Sequence, residues 1–92
     1  MPAISIIMPV YNTKEFVGKA IESILNQTFK DYEFLIIDNG STDGSGEVID
    51  RYATMDSRIQ VLRNKKNVFI AEARNKALAQ AKGEYLYLID SD

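Results

Sequence analysis

Two aspartates, Asp90 and Asp92, stand one residue apart directly after an apolar run, Tyr85-Leu86-Tyr87-Leu88-Ile89. Carboxylates at that spacing offer the hard oxygen ligands that Mg²⁺ and Mn²⁺ prefer. A D-x-D pair also arises by chance, and taken alone it serves equally well as a cap or turn. Its surroundings sharpen the reading. The run before it has the length and composition of a strand buried on both faces. An unpaired charge inside such a sheet is costly, so the acids belong where the strand leaves the sheet, at its carboxyl end. In open α/β sheets that edge is where ligands bind.

The same arrangement recurs upstream. Ile4-Ser5-Ile6-Ile7-Met8 runs into Pro9-Val10-Tyr11-Asn12, and Glu33-Phe34-Leu35-Ile36-Ile37 runs into Asp38-Asn39. Pro9 lacks an N–H and marks the end of ladder pairing, which leaves Tyr11 at the strand's exit with its ring placed to lie over a base. Asp38 alone reads equally as a turn cap. Together, Tyr11, Asn12, Asp38, Asn39, Asp90 and Asp92 make the array a nucleotide needs. Asp or Asn pairs with a base edge, a carboxylate accepts from ribose hydroxyls, and a divalent ion neutralises a diphosphate. Gly40, Gly44 and Gly46 match neither a dinucleotide fingerprint nor a P-loop and read as turn residues. Arg74 interrupts an Ala-rich face. It is either a stem lying along the core with its head in water or a guanidinium aimed at a diphosphate or at the strand-end acids. Lys65 and Lys66 read as a solvated loop tip.

The elements that must position these residues follow from periodicity. Asn12 is placed as an N-cap with Glu15 three residues on, in the manner of a capping box. Phe16, Val17, Ala20, Ile21, Ile24 and Leu25 then recur at helical spacing. After the second strand, Val48, Ile49, Tyr52 and Ala53 mark a shorter helix. Ile59-Gln60-Val61-Leu62 is a third strand, and 63–67 a polar loop. A third helix is predicted over Ile70 to Lys82, with Ile70, Ala73, Ala77, Leu78 and Ala81 inward and Gly83 as its C′ residue. The order βαβαβαβ specifies a parallel sheet with helices on both faces.

Composition bounds the rest. At 92 residues the chain is at most one small domain. A formal charge of −2 with no His argues against a nucleic-acid surface. Absent cysteines leave neither a disulfide framework nor a Cys-based metal site. No stretch approaches the roughly 18 apolar residues of a membrane span, and the N-terminus lacks the basic residues of a secretory signal, so a cytoplasmic protein is expected. Ending directly after D-x-D, the chain reads as a piece of a larger domain. Such a piece should expose an apolar edge and associate with itself.

Met8-Pro9-Val10-Tyr11-Asn12, Ser23-Ile24-Leu25-Asn26-Gln27-Thr28, Asp38-Asn39-Gly40-Ser41-Thr42-Asp43, Ala73-Arg74-Asn75 and Leu88-Ile89-Asp90-Ser91-Asp92 together resemble the N-terminal half of a family 2 glycosyltransferase. The resemblance covers essentially the whole chain. It implies a Rossmann-like three-layer α/β/α sandwich, part of a GT-A domain, and an inverting transfer from a nucleotide sugar to an acceptor hydroxyl of a glycan or lipid-linked acceptor. By position it implies that Pro9, Tyr11 and Asn12 line the base pocket and that Asp38 and Asn39 contact the base. Arg74 would lie near the same pocket, Asp90 near the ribose or metal, and Asp92 would ligate Mn²⁺ or Mg²⁺ on the diphosphate. A UDP-sugar is the expected donor, polysaccharide or cell-surface glycan synthesis the expected role, and the general base is expected beyond residue 92. Two positions depart from the family's pattern: Asn39, where a second Asp is frequent, and Phe69, where Gly is usual.

Other classes fit less well. A phosphoacceptor receiver wants an acid pair after its first strand, where this chain has Pro9-Val10-Tyr11-Asn12. A phosphohydrolase using D-x-D as nucleophile wants that motif at the first strand, not the fourth. A non-catalytic nucleotide-binding module remains the alternative.

Overall fold

The computed structural model describes residues 2–66 and 70–89. Phe69 and the Asp90-Ser91-Asp92 motif lie outside the described residues. Seven elements alternate: β1 (Ile4–Val10), α1 (Lys14–Leu25), β2 (Tyr32–Asn39), α2 (Ser45–Met55), β3 (Ile59–Asn64), α3 (Ile70–Gln80) and β4 (Tyr85–Leu88). The strands form one sheet in the order β3-β2-β1-β4, and every neighbouring pair is parallel. All four strands therefore point the same way, and their carboxyl ends share one edge.

The two central strands explain the layers. Successive side chains of a strand face opposite ways, and β1 and β2 are apolar at both phases. Ile6, Met8 and Val10 of β1, with Phe34 and Ile36 of β2, pack against Val17, Ile21 and Ile24 of α1 and Ile49 of α2. The alternate residues Ile7, Leu35 and Ile37 pack against Ala73 and Ala77 of α3. Two helices cover one face and one covers the other, the three-layer α/β/α arrangement expected from the alternation. Alanines on α3 present a short contact face to the sheet, so that helix packs close.

Several expectations are corrected. The run 85–89 is not buried on both faces: Tyr85, Leu86, Tyr87 and Leu88 are 68, 52, 58 and 51% exposed. Here β4 is the edge strand, pairing only with β1 among the described residues. Phe16 and Leu78, assigned inward by spacing, are exposed. Each lies at the margin of its helix's apolar arc, beside residues that do reach the sheet. β1 continues one residue past Pro9, which pairs in register with Ile37. β3 continues through Arg63 and Asn64, opposite Asp38 and Asn39, which removes two residues from the loop read over 63–67.

Gly83 is not a left-handed C′ residue, since only Gly40 and Gly44 among the described glycines have positive φ. It is there for room. A Cβ at Gly83 would lie 2.6 Å from the Ile4 carbonyl carbon and 2.6 Å from the Ser5 nitrogen. The close approach lets the Gly83 N–H donate to Ser5 Oγ at 2.8 Å. Ser5 Oγ in turn donates to the buried Glu33 carboxylate, which also accepts the Lys82 N–H. The turn from α3 to β4 is thereby pinned to the amino ends of β1 and β2.

Candidate active site

Two loops leave the carboxyl edge side by side: residues 11–13 after β1 and residues 40–44 after β2. Three consecutive backbone N–H groups of the first loop and the helix start donate to side chains of the second loop and of the first residue of α2. Asn12 donates to Ser41 Oγ, Thr13 to Ser45 Oγ and Lys14 to Asp43 Oδ2, each at 3.1 Å. Asn12 Oδ1 returns the contact by accepting the Thr42 N–H at 2.8 Å. This explains why the capping box predicted at Asn12 does not form. The N-cap of α1 is Thr13, without a side-chain cap bond, and Asn12 has φ 49°. The Asn12 side chain is aimed across to the neighbouring loop instead of along its own helix.

Asp43 sits between the two helices. Its Oδ2 takes the first helical N–H of α1, and its Oδ1 takes the first helical N–H of α2, from Ser45, at 3.0 Å and the Ser45 hydroxyl at 2.6 Å. The hydrogen bond from the Ser45 hydroxyl, with the backbone N–H bonds behind it, holds the Asp43 carboxyl below the usual carboxylate range. Gly44, the N-cap of α2, has φ 97°, a conformation that favours glycine.

Asp38 and Asn39 end β2 with their side chains buried. Asp38 Oδ1 accepts the Ser41 N–H at 3.0 Å and so shapes the turn, while Oδ2 faces Arg63 Nε at 3.4 Å. Arg63 also donates to the Gly46 carbonyl at 3.1 Å and to Asp50 at 2.7 Å. These partners raise its pKa above the ordinary value, Asp50 foremost. Gly46, read from sequence as a turn residue, lies inside α2, and a Cβ there would stand 2.6 Å from Asp38 Oδ2. Asn39 Oδ1 accepts from Asn64 Nδ2 at 2.9 Å, and Asn64 Oδ1 accepts from Lys76 of α3. The third helix is thus tied to the same edge.

The edge therefore gathers Tyr11, Asn12, Asp38 and Asn39 as expected. Tyr11 is 46% exposed, with a ring open to solvent, whereas Pro9 is buried within the ladder. Arg74 is half-buried in the first half of α3, and its Nε is buried with no hydrogen-bond partner among the described residues. Asp90 and Asp92 lie outside those residues. Among the described residues no cluster of three or more acidic side chains could hold a metal ion. The acids described here already serve as caps and ion-pair partners.

Sequence reading gave Asp43 and Ser45 no role beyond turn and cap formation, and passed over Arg63 and Asn64. A signal existed for the first two, since Asp two residues ahead of a helix start is a local cap signature. Arg63 and Asn64 become visible only once β3 is paired in register with β2.

Comparison with known proteins converges on one class. Residues 5–92 match the family described as Glycosyl transferase family 2, and the chain belongs to that family. Streptococcus pneumoniae glycosyltransferase GlyG is 40% identical over 97% of this chain and 30% of its own length. Bacillus subtilis TuaG, provisionally assigned as a teichuronic acid biosynthesis glycosyltransferase, is 38% identical over 99% of the chain and 36% of its own. This chain thus spans about a third of such relatives. Among solved structures, the mannosyltransferase PcManGT of Pyrobaculum calidifontis, in complex with GDP-Man and Mn²⁺, superposes with TM-score 0.91 at 26% identity over 99% of this chain and 28% of its own. Staphylococcus aureus TarS 1–349 in complex with UDP-GlcNAc superposes with TM-score 0.91 at 29% identity, over 100% and 27%.

Proposed function

We propose that the whole protein transfers a sugar from a metal-bound nucleotide-sugar donor, a UDP-sugar, to an acceptor hydroxyl with inversion, in the synthesis of a polysaccharide or cell-surface glycan. The carboxyl edge described here is the donor half of that site. One observation carries the reading. Arg74 holds a buried guanidinium nitrogen that no described group satisfies, beside an edge built from base-reading residue types. A buried guanidinium N–H without an acceptor is costly, and a diphosphate oxygen is a suitable acceptor for it. The nucleotide-sugar complexes of PcManGT and TarS support the same reading, and the provisional assignment of TuaG supports the glycan role.

In this reading Tyr11 stacks on the base, Asn39 addresses its edge and Asp38 keeps the intervening turn in shape. Asp90 and Asp92 would hold Mn²⁺ or Mg²⁺, and the ion would supply Lewis-acid stabilisation to the nucleoside diphosphate leaving group. The acceptor is a glycan or a lipid-linked saccharide, and the protein works in the cytoplasm.

Calorimetric titration of the whole protein with UDP and GDP, with Mn²⁺ and with excess EDTA, tests the proposal. Metal-dependent UDP binding that weakens by about tenfold, or 1.4 kcal/mol, in both Arg74→Ala and Asp92→Asn is the expected result. Failure of the wild type to bind either nucleotide overturns the donor reading. Equal binding with and without metal overturns the role given to Asp90 and Asp92.

A further inference from the structure

The loop carrying Tyr11 has little to hold it by packing. Tyr11 and Asn12 are exposed, Thr13 is half-buried, and the first buried apolar residue beyond them is Val17. Its position therefore rests on polar bonds to the neighbouring loop. Those bonds centre on one carboxylate. Asp43 Oδ2 accepts the Lys14 N–H directly. Asp43 Oδ1 accepts the Ser45 hydroxyl proton, and this turns a lone pair of Ser45 Oγ toward the Thr13 N–H, which it accepts at 3.1 Å. Ser45 is fully buried, so its hydroxyl has no solvent alternative. Two of the three consecutive N–H bonds from the first loop thus depend on Asp43.

We propose that Asp43 is a positioning residue for the donor pocket: by bridging the first turns of α1 and α2 it sets the spacing between Tyr11 on one loop and Asn39 at the root of the other. The inference rests on the donor reading above. Asp43 itself touches no nucleotide in this scheme. It fixes the width of the slot into which a base enters, so its loss weakens donor binding while leaving the chemical step alone. A simple cap residue would contribute to stability and nothing else, which gives the two roles different signatures.

The test compares wild type, Asp43→Ala and Asp43→Asn in the whole protein. Asn keeps one acceptor oxygen and loses the second, so it should retain part of the bridge. Three quantities are read: the affinity for UDP with Mn²⁺, the split between KM for the donor and kcat, and amide hydrogen exchange over residues 12–14 without nucleotide. Asp43→Ala should weaken UDP binding and raise KM by about tenfold, with kcat within about twofold, and Asp43→Asn should fall between. Exchange at 12–14 should accelerate in the same order. Unchanged UDP affinity with faster exchange overturns the positioning role and leaves a cap. Unchanged exchange at 12–14 overturns the bridge itself, whatever the affinities. A fall in kcat with KM preserved also overturns it. Failure of the wild type to bind UDP overturns the donor reading, whereas the exchange comparison judges the bridge separately.

Discussion

Arg63 of β3 reaches across the sheet's carboxyl edge to Asp38 of β2, with Nε 3.4 Å from Oδ2, while its other end holds Asp50 of α2 at 2.7 Å. One guanidinium thus joins strand, neighbouring strand and helix. The Asp38 carboxylate is buried, and its other oxygen accepts the Ser41 N–H. Arg63→Met, which keeps the stem and removes the head, should destabilise the fold by about 1–3 kcal/mol, because Asp38 is left under-satisfied. Urea denaturation of the two proteins measures it. A loss below 0.5 kcal/mol, the size of ordinary surface changes, would show that Asp38 relaxes into water.

Gly46 and Gly83 should resist substitution for different reasons. Alanine at Gly46 gains about 1 kcal/mol of helix propensity, yet its Cβ would stand 2.6 Å from Asp38 Oδ2. A carboxylate at the end of a side chain can move, so Gly46→Ala should lose about 1–2 kcal/mol net, part of it through the Asp38–Arg63 contact. At Gly83 the obstructing atoms are backbone, the Ile4 carbonyl carbon and Ser5 nitrogen. Gly83→Ala must push β4 away from β1 and should cost more than Gly46→Ala, by about 1–3 kcal/mol, the range of overpacking in a tight site. Thermal melts of the two variants rank them. Equal melting temperatures would contradict the distinction.

Acid should release the Asp56–Arg58 clamp between about pH 4 and pH 2. The Asp56 carboxyl is lowered from 3.8 to about 2, chiefly by its hydrogen bond from Arg58, with the Arg58 backbone and charge adding to it. Arg58 also lies over the Tyr32 ring, 4.4 Å from its centroid. A carboxyl whose folded pKa lies below its unfolded one contributes stability that is fully present above the unfolded value. That contribution is lost as pH falls through the folded value. The Asp56 contribution should therefore hold down to about pH 4 and disappear toward pH 2. Asp56→Asn should remove this slope. Stability measured against pH for both proteins decides it, and identical acid limbs would contradict it.

The carbonyl-side polar chain from α3 to β2 makes a further prediction. Lys76 donates to Asn64 Oδ1, and Asn64 Nδ2 donates to Asn39 Oδ1. Asn64→Leu should cost about 1–3 kcal/mol by leaving the buried Asn39 oxygen without this donor. It should also weaken nucleotide binding in the donor reading, because the amide that addresses the base loses one of the bonds that orient it. Chemical denaturation and UDP titration of the variant measure the two effects.

Much of this architecture was legible because it depends on periods and on chain order. Apolar runs at Ile4–Met8 and Phe34–Ile37, and Ala73 and Ala77 one helical turn apart, name the buried faces directly, and their alternation implies a parallel sheet. The convergence of Tyr11, Asn12, Asp38 and Asn39 follows from that sheet alone. What escaped depends on lateral neighbours. Nothing local in Gly83 separates room for a backbone from freedom of φ. Asn12 was assigned to its own helix because local capping rules look along the chain. Its partner Thr42 stands 30 residues away. Arg63 and Asn64 act through register with Asp38 and Asn39, which no window on the sequence contains.

The Ser5–Glu33–Lys82–Gly83 cluster lies at the opposite edge from the loops that gather Tyr11 and Asn39. Strand alignment is therefore fixed at one end of the sheet and recognition is built at the other, with whole strand lengths between them. A slip of one residue would turn every strand side chain to the wrong face, so the first end tolerates little change. The loops at the second end bond largely to each other, tied to the ladder by the Ser41 N–H on Asp38. Substitutions at exposed positions there, such as Tyr11, Asn12 and Thr42, leave strand register untouched, so the rim can vary while the scaffold stays the same.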